Sequence, residues 1–401
     1  MEQQEQNKLG NNSRTTVVMT WKPQQCIWRR CLTLRRLLIT LTLAVVASVA
    51  VVFYLLLTED PFSSFTSAVA IVIHWRPPMA EPHNQNNVQP SNNDNRIFFH
   101  ETSGRLELSF KETCAVESAA LHNPQRPVQI FFQPQQQSTT AAIDQSSAWI
   151  RVLNRYANVQ VIVIDDEALY FKDSPLEDWY REAKWRNSPY RVQHMADYIR
   201  MVTLKKGGGG GMYLDLDIVT LKPYDGPQFR NFVTAKNKQL FRITNAVFHL
   251  DGGHRLIDAI IKEQSDEYDP DDYVYNGPGA MSMAMTKLCN YSRGHLESNI
   301  CRDVALLPHF LFHPIGGQSG HVYFMHRRGE HIGLVSTFIE RMERLSYGAH
   351  IQNFMTRDLV VDTPSPSSSS SDDNNLTQVF GILAASHCPL TFAHRFQFQF
   401  L

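Results

Sequence analysis

Two acidic residues, Asp215 and Asp217, are the clearest candidates for chemistry in this sequence. They follow the β-favouring segment 212–214 and precede Ile218 and Val219. In an extended chain alternate side chains lie on the same face, so both carboxylates would point the same way. Two carboxylates on one face provide half of an oxygen site for Mn²⁺ or Mg²⁺ and leave coordination positions for substrate phosphates. The same pattern is also typical of two solvated acids at the end of a strand.

The segment before this pair would have to position it. Residues 196–204 have helical spacing and carry Asp197 and Arg200, which are three apart and therefore on one face. A glycine run at 207–211 and a short apolar strand then lead into the acids. No Lys-Ser or Lys-Thr follows the glycines, so the run is not a P-loop. Helix, glycine turn, strand and acid pair together indicate a site for a nucleotide diphosphate.

Strands and helices alternate after residue 95. The apolar patterns predict strands at 96–99, 128–132 and 159–164, and helices at 114–122 and 147–156. This alternation predicts an α/β fold with a mostly parallel, Rossmann-like sheet. Ligands of such sheets bind beyond the carboxyl ends of the strands, where Ser103, Asp166 and the acid pair fall. Helices are also predicted at 254–264 and 280–289, and a strand at 306–314, whose His309 and His313 are interpreted as structural.

The N-terminal part of the chain has the pattern of a membrane anchor. Residues 1–36 are polar and end in a basic cluster, and residues 37–57 contain no charged side chain. About 20 apolar residues span a bilayer as a helix, and arginines before the span predict a cytosolic N-terminus. We therefore expect a type II membrane protein with a cytosolic tail at 1–36, an uncleaved transmembrane anchor at 37–57 and a stem at 58–95. Residues 96–401 would form the lumenal domain.

Charge and cysteine content narrow the function and the compartment. The net charge of −1 gives no support for nucleic-acid binding. The predicted lumenal part contains four cysteines, Cys114, Cys289, Cys301 and Cys388. In an oxidising compartment this even number suggests two disulfides, for which three pairings are possible. Cys289 and Cys301 are the preferred pair because they are close in sequence. Asn290 and Asn375 begin lumenal N-glycosylation sequons, whereas the sequon at Asn11 would lie in the cytosol.

Several motifs, taken in order, resemble the α-1,4-glycosyltransferases that build globo-type glycosphingolipids and related α-1,4-N-acetylhexosaminyl linkages. The matching segments are IFFHETS at 97–103, CAVESAALHNP at 114–124, SPLEDWY at 174–180, the Asp197 and Arg200 pair, YLDLDIVTLK at 213–222, and Cys388-Pro389. Together these motifs cover nearly all of residues 96–401, behind the type II anchor that such enzymes carry.

This resemblance implies a GT-A type, Rossmann-like nucleotide-sugar-binding fold in the Golgi lumen. The implied reaction transfers galactose or N-acetylgalactosamine, less readily N-acetylglucosamine, from a UDP-sugar with retention onto a glycosphingolipid or glycan. The resemblance assigns Mn²⁺, or Mg²⁺, to Asp215 and Asp217, and donor contacts to these residues with Asp197, Arg200 and Tyr213. The donor-binding half would be about 96–223 and the acceptor-side half about 224–401. The resemblance assigns no catalytic nucleophile, partner protein or oligomeric state.

The acceptor side has weaker motifs. Asp178, Trp179 and Tyr180 could form part of a sugar platform, and packing in the core is the alternative. The segment 350–353 resembles a His-Val-Trp-Asn motif of the family, which makes His350 a candidate third metal ligand or diphosphate contact; an ordinary histidine is the alternative. Gln352 stands where the family has tryptophan.

Two other functions fit parts of the sequence. A degenerate transferase that acts as a Golgi binding or partner-stabilising protein would explain the long glycine run at 207–211 and the loss of tryptophan at position 352. The intact Asp197, Arg200, Asp215 and Asp217 argue against it. A haloacid-dehalogenase-like phosphatase also uses an Asp-x-Asp motif, with the first aspartate as nucleophile. It would need a downstream lysine and acidic motif, for which the sequence offers no convincing set.

Overall fold

The computed structural model describes residues 95–133, 143–164, 166–206, 209–236, 242–292, 295–296, 301–326, 331–361 and 378–398. The predicted cytosolic tail, the anchor at 37–57, almost all of the stem and the sequon at Asn375 lie outside these residues. Among the helices that are described, none combines the length and the apolar character needed to cross a bilayer.

The strands of the described chain are mostly short. They are β1 Ile97–Glu101, β2 Val128–Phe132, β3 Val159–Val163, β4 Gly211–Leu214, β5 Ile218–Thr220, β6 Phe232–Ala235, β7 Ile243–Leu250, β8 Tyr291–Ser292, β9 His295–Leu296, β10 Ala305–Leu307 and β11 Gly348–His350. The α-helices are α1 Phe110–His122, α2 Ala148–Leu153, α3 Glu167–Phe171, α4 Glu177–Glu182, α5 Arg191–Lys205, α6 Arg255–Asp266, α7 Ala280–Cys289, α8 His331–Leu345, α9 Asn353–Thr356, α10 Val379–His387 and α11 Pro389–Ala393.

One seven-stranded sheet organises these elements, in the order β10-β6-β7-β4-β1-β2-β3. β1 pairs in parallel with β2 and β4, β2 with β3, and β10 with β6. β7 runs antiparallel to both of its neighbours, β4 and β6. The α/β fold and the mostly parallel sheet predicted from the alternation of strands and helices are therefore confirmed.

The sheet separates two hydrophobic cores because alternate residues of each strand face opposite sides. Ile97 and Phe99 pack in the core that includes α1, whereas Phe98 packs in the core that includes α5, α6 and α7. α1 begins at a capping box in which Ser109 and Glu112 bond each other's backbone amides. Helices therefore cover both faces of the sheet.

The predicted strand at 306–314 is wrong beyond Leu307. β10 ends at Leu307, and His309–Leu311 forms a 3-10 helix. Pro308 lies between the two elements and has no amide hydrogen with which to continue the strand ladder. The predicted helices at 254–264 and 280–289 correspond to α6 and α7.

Two disulfides link distant elements. Cys289 pairs with Cys301, which confirms the preferred pairing, and Cys114 in α1 pairs with Cys388 between α10 and α11. All four cysteines are buried. Asn290 directly follows α7, has a left-handed backbone with φ of 49°, and is exposed.

Candidate active site

The acid pair lies at a turn and not within one extended strand. β4 ends at Leu214, and β5 begins only at Ile218. The amide of Ile218 donates to the carbonyl oxygen of Asp215 at 3.1 Å and closes the turn. The chain is therefore not extended through both acids, which was the condition for placing them on one face by strand alternation, because a backbone hydrogen bond bends the chain after β4. Asp215, Asp217 and His350 nevertheless each place a potential ligand atom within 4.8 Å of the others.

His350 reaches the acids through a two-stranded sheet. β11 pairs antiparallel with β5, and His350 lies opposite Ile218. Its Nε2 atom is 3.0 Å from Oδ1 of Asp217, and its Nδ1 atom is 3.0 Å from Nε2 of His313. Burial disfavours the imidazolium, but Asp217 and Asp215 together outweigh burial and raise the pKa of His350. His313, interpreted from the sequence as structural, thus helps to orient the ring of His350.

Asp217 is held by two different segments of the chain. Its Oδ2 atom accepts a hydrogen bond from the backbone amide of Asn353 at 2.7 Å. Burial alone would raise the pKa of Asp217, yet His350 and this amide together lower it. The carboxylate is therefore stabilised in its charged form. The contact is made by the backbone of Asn353, so the match of 350–353 to the His-Val-Trp-Asn motif pointed to this residue but not to this hydrogen bond.

The residues present fit a divalent cation. Oδ1 of Asp217 is shielded from solvent and faces Nε2 of His350 at 3.0 Å. With Asp215 beside them, the ligand atoms of three residues converge within 4.8 Å of one another. Two carboxylates and one imidazole are a ligand set suited to Mn²⁺. A metal ion bound by His350 would displace its proton, since only the neutral ring nitrogen is a ligand.

Arg200 supports Asp215 from the protein interior. Its guanidinium is buried and lies 3.2 Å from Oδ1 of Asp197 and 3.2 Å from Oδ1 of Asp215. It also donates to the carbonyl oxygen of Asn245 at 2.6 Å. The amide nitrogen of the Asn245 side chain donates to Asp197 at 2.7 Å. Burial raises the pKa of Asp197 to about 6, although Arg200 acts in the opposite direction.

Tyr213 adds a second support for the same carboxylate. Its hydroxyl donates to Oδ1 of Asp215 at 2.7 Å, and the Arg200 guanidinium lies 4.1 Å from the centre of its ring. Both side chains are buried, whereas the side chain of Asp215 is 29% exposed. The structure thus brings all five predicted donor residues together. It also shows that Tyr213 and Arg200 act on Asp215, which alone of the three is open to solvent.

Two of the three residues predicted as a sugar platform at 178–180 have rings that pack against other rings. Trp179 is buried and stacks on Tyr198 with ring centroids 3.7 Å apart, and Tyr180 stacks on Phe171. Asp178 is exposed. For the two aromatic residues the structure therefore agrees with the alternative of packing in the core, because the apolar faces of their rings already contact other aromatic rings.

The glycine run is partly required by packing. A Cβ atom on Gly210 would lie 1.9 Å from the carbonyl oxygen of Leu250 in β7, and Gly211 has φ of 137°. Arg96 donates to the carbonyl oxygens of Gly209 and Gly210. These three glycines thus form an ordered connection into β4. Gly207 and Gly208 lie outside the described residues.

Comparison with known protein families agrees with this geometry. The description "Alpha 1,4-glycosyltransferase conserved region" matches residues 249–395, and "Glycosyltransferase sugar-binding region containing DXD motif" matches residues 109–237. Lactosylceramide 4-alpha-galactosyltransferase of Rattus norvegicus is 31% identical over 260 residues, which are 64% of this chain and 69% of the rat protein. The chain belongs to the α-1,4-glycosyltransferase family. It is a hexosyltransferase, and this family is not that of the haloacid-dehalogenase-like phosphatases.

One further relative and one solved structure are similar to part of this chain. Alpha-1,4-N-acetylglucosaminyltransferase of Homo sapiens is 25% identical over 229 residues, or 57% of this glycosyltransferase and 65% of the human protein. Among solved structures, the PaToxG glycosyltransferase has a TM-score of 0.38 and 15% identity, covering 48% of this chain and 68% of that one.

Proposed function

We propose that this glycosyltransferase transfers galactose or N-acetylgalactosamine, less readily N-acetylglucosamine, from a UDP-sugar onto a glycosphingolipid or glycan, forming an α-1,4 linkage with retention. The cluster of Asp215, Asp217 and His350 at the end of β4 is the observation that carries the proposal. In open α/β sheets ligands bind beyond the carboxyl ends of strands, which is where this cluster lies. We assign the domain to the GT-A type on the same ground.

The three residues of the cluster would hold Mn²⁺ or Mg²⁺. A bound divalent cation neutralises the charge that develops on the UDP diphosphate as it leaves. The chain itself prepares the site: Arg200 and Tyr213 hold Asp215 in place, and the Asn353 amide holds Asp217. Carboxylates that are fixed before the donor binds need no rearrangement during the reaction.

Retention is proposed to occur on one face of the donor sugar. A double displacement needs a free carboxylate or other nucleophile beside the anomeric carbon. Asp197, the further carboxylate described beside the cluster, is bonded to Arg200 and Asn245 and is buried. A departing phosphate oxygen that accepts the acceptor's hydroxyl proton is therefore the more economical mechanism. The bond to UDP breaks and the bond to the acceptor oxygen forms on the same side.

The substrates are proposed from the named relatives. The rat relative is a lactosylceramide galactosyltransferase, and the human relative named above is an N-acetylglucosaminyltransferase of lower identity. This order favours galactose as donor sugar and a lactosyl-terminated glycolipid as acceptor. The uncharged segment 37–57 supports a type II anchor in the Golgi membrane with the catalytic domain in the lumen.

The test is UDP release by the full-length chain in detergent with Mn²⁺. UDP-galactose, UDP-N-acetylgalactosamine and UDP-N-acetylglucosamine are each supplied with and without lactosylceramide or an N-acetylhexosamine-terminated acceptor. We expect release that is stimulated by an acceptor with one preferred donor. No acceptor-stimulated release with any donor, from folded protein, would overturn the proposed reaction.

Asp217→Asn provides a test of the metal site. We expect at least about a 100-fold loss of UDP release, because a charged ligand to the leaving group is lost, together with weaker Mn²⁺ binding by calorimetry. Asp266→Asn is the matched control, since Asp266 is exposed and pairs with Lys262 on α6. Normal Mn²⁺ binding and activity in Asp217→Asn would contradict the assignment of the metal site.

A further inference from the structure

Two exposed aromatic side chains, Tyr273 and Phe354, stack on each other. Their ring centroids are 4.8 Å apart and their planes differ by 28°. Tyr273 is 37% exposed and Phe354 is 48% exposed. Single exposed apolar residues are ordinary, but a stacked pair presents a continuous apolar surface to water. Such a surface becomes informative where it adjoins a functional site.

Both residues adjoin the acid cluster. Phe354 follows Asn353, whose amide donates to Asp217, and both lie in the one-turn helix α9. Tyr273 is brought to the same place by its ring contact with Phe354, and the carboxylates of the cluster add to the effect of burial in raising the pKa of Tyr273. The aromatic pair therefore borders the site at which the donor diphosphate is proposed to bind.

The opposite side of the cluster is closed. Arg200 and Tyr213 are buried against Asp215, and His313 is buried behind His350. A second substrate consequently has to approach from the side where side chains remain exposed. Tyr273 and Phe354 are exposed side chains next to the cluster, and the neighbouring Met355 is 51% exposed.

We propose that Tyr273 and Phe354 form the platform on which the terminal pyranose ring of the acceptor stacks, an inference that rests on the proposed transferase function. A pyranose has an apolar face of C–H groups that packs against an aromatic ring, while its hydroxyls remain hydrogen-bonded to water. In the proposed reaction the charged diphosphate of the donor binds at the metal ligands. The acceptor is uncharged at its reacting end and reaches the site from solvent or membrane, so an exposed apolar platform suits it.

The aromatic positions suggested by the sequence do not supply this platform. Trp179 and Tyr180, the sequence-based candidates, have their rings stacked within the protein. Position 352 is a glutamine with φ of 58°. A Cβ atom added to Gly320 would lie 2.9 Å from the Cβ atom of Gln352. Gln352 thus packs beside Gly320 and presents no ring to a sugar. Phe354, two residues later, presents one.

Phe354→Ala is the test, made in the full-length chain. Phe396→Ala is the matched control, because Phe396 is 49% exposed and contacts Arg395 on the C-terminal 3-10 helix. We expect Phe354→Ala to raise the acceptor KM about 3- to 10-fold. The KM for the UDP-sugar in the absence of acceptor, measured as slow hydrolysis by water, should not change. Phe354→Tyr should restore the acceptor KM, since it keeps the ring face.

Binding of free lactose, measured by NMR in the presence of Mn²⁺ and UDP, separates this inference from the proposed reaction. Lactose binding that weakens in Phe354→Ala, but not in Phe396→Ala, supports the platform even if no donor is turned over. Unchanged lactose binding and acceptor KM in Phe354→Ala overturn the platform, while acceptor-stimulated UDP release would still uphold the transferase. An increase in donor KM alone would assign the pair to the donor sugar and also overturn it.

Discussion

At the scale of single residues, Gly277 shows how the absence of a side chain shapes the candidate site. A Cβ atom at this position would lie 2.3 Å from Oδ2 of Asp197 and 2.4 Å from Nδ2 of Asn245. These distances are shorter than van der Waals contact. Because Asp197 contacts Arg200, and Arg200 contacts Asp215, a displacement of Asp197 would reach the proposed metal ligand.

We expect Gly277→Ala to lower the free energy of unfolding by about 1–3 kcal/mol, as overpacking of a buried site does, and to reduce UDP release. Gly316→Ala is the matched control, because no atom lies within 4 Å of its added Cβ and its φ of −62° suits alanine. Urea unfolding and UDP release of both variants give the comparison. Equal stability and equal UDP release of the two variants would show that Asp197 moves away from the added Cβ atom at no cost.

The two ion pairs of the buried Arg200 guanidinium indicate its role. Arg200 was expected from the family resemblance to contact the donor, yet its guanidinium is buried between Asp197 and Asp215. A planar guanidinium can contact both acids at once, which a lysine ammonium on a flexible stem does less well. We therefore interpret Arg200 as a positioning residue for Asp215, with the charge of Asp215 directed to the metal.

At the scale of elements, the two disulfides close loops of very different length. Cys114 and Cys388 are separated by 274 residues and join α1 to the segment after α10. Cys289 and Cys301 are separated by 12 residues. A cross-link restricts the unfolded chain more when it closes a longer loop. The long-range disulfide should therefore contribute more to stability.

We expect the double variant Cys114→Ala/Cys388→Ala to lose about 5 kcal/mol of unfolding free energy, and Cys289→Ala/Cys301→Ala about 3 kcal/mol, from loop-closure entropy. Urea unfolding of each variant and of the oxidised parent chain measures both values. A larger loss for the short-range pair would mean that local packing around α7, and not chain entropy, dominates.

A histidine pair connects the same two helices. Nε2 of His122, at the end of α1, lies 2.9 Å from Nδ1 of His387, at the end of α10, and Nε2 of His387 lies 3.0 Å from Glu343. Burial, and then His387, lower the pKa of His122 to about 4. Burial also lowers the pKa of His387 despite the opposing effect of Glu343.

These shifts predict a loss of stability in acid. An unfolded histidine titrates near pH 6.5, so between about pH 6.5 and 4 the unfolded chain binds protons that folded His122 does not. The free energy of unfolding should fall as pH is lowered through this window and recover above it. His122→Gln should make the midpoint of thermal unfolding less dependent on pH there. Parallel curves for the variant and the parent chain would refute this interpretation.

At the scale of the whole molecule, the predicted topology places both sequons at Asn290 and Asn375 in the lumen. Asn290 is exposed after α7, as an acceptor of N-linked glycan must be. We expect the full-length chain from secretory-pathway host cells to carry N-linked glycan removable by a peptide N-glycosidase. Asn290→Gln and Asn375→Gln should each reduce the mobility shift. A mobility shift that is lost when Asn11 is replaced would instead place the N-terminus in the lumen. It would therefore reverse the predicted orientation.

The sequence by itself determined much of the local structure and the charged groups at the centre of the candidate site. Apolar runs predicted β2, β3 and the start of β1, and helical periodicity predicted α5, α6 and α7, because local spacing decides which face of an element is buried. The acid pair, with Asp197 and Arg200, was recognisable because these residues are close in sequence and chemically distinctive.

The tertiary structure alone decided how each of these groups is used. It bent the chain between Asp215 and Asp217, and it brought the Asn353 amide to Asp217 across 136 residues and Asn245 to Asp197 across 48. It also placed Trp179 in the core and left Phe354 exposed beside the acids. Burial and ion pairing depend on which distant segments pack together. The local spacing of residues does not reveal these long-range contacts.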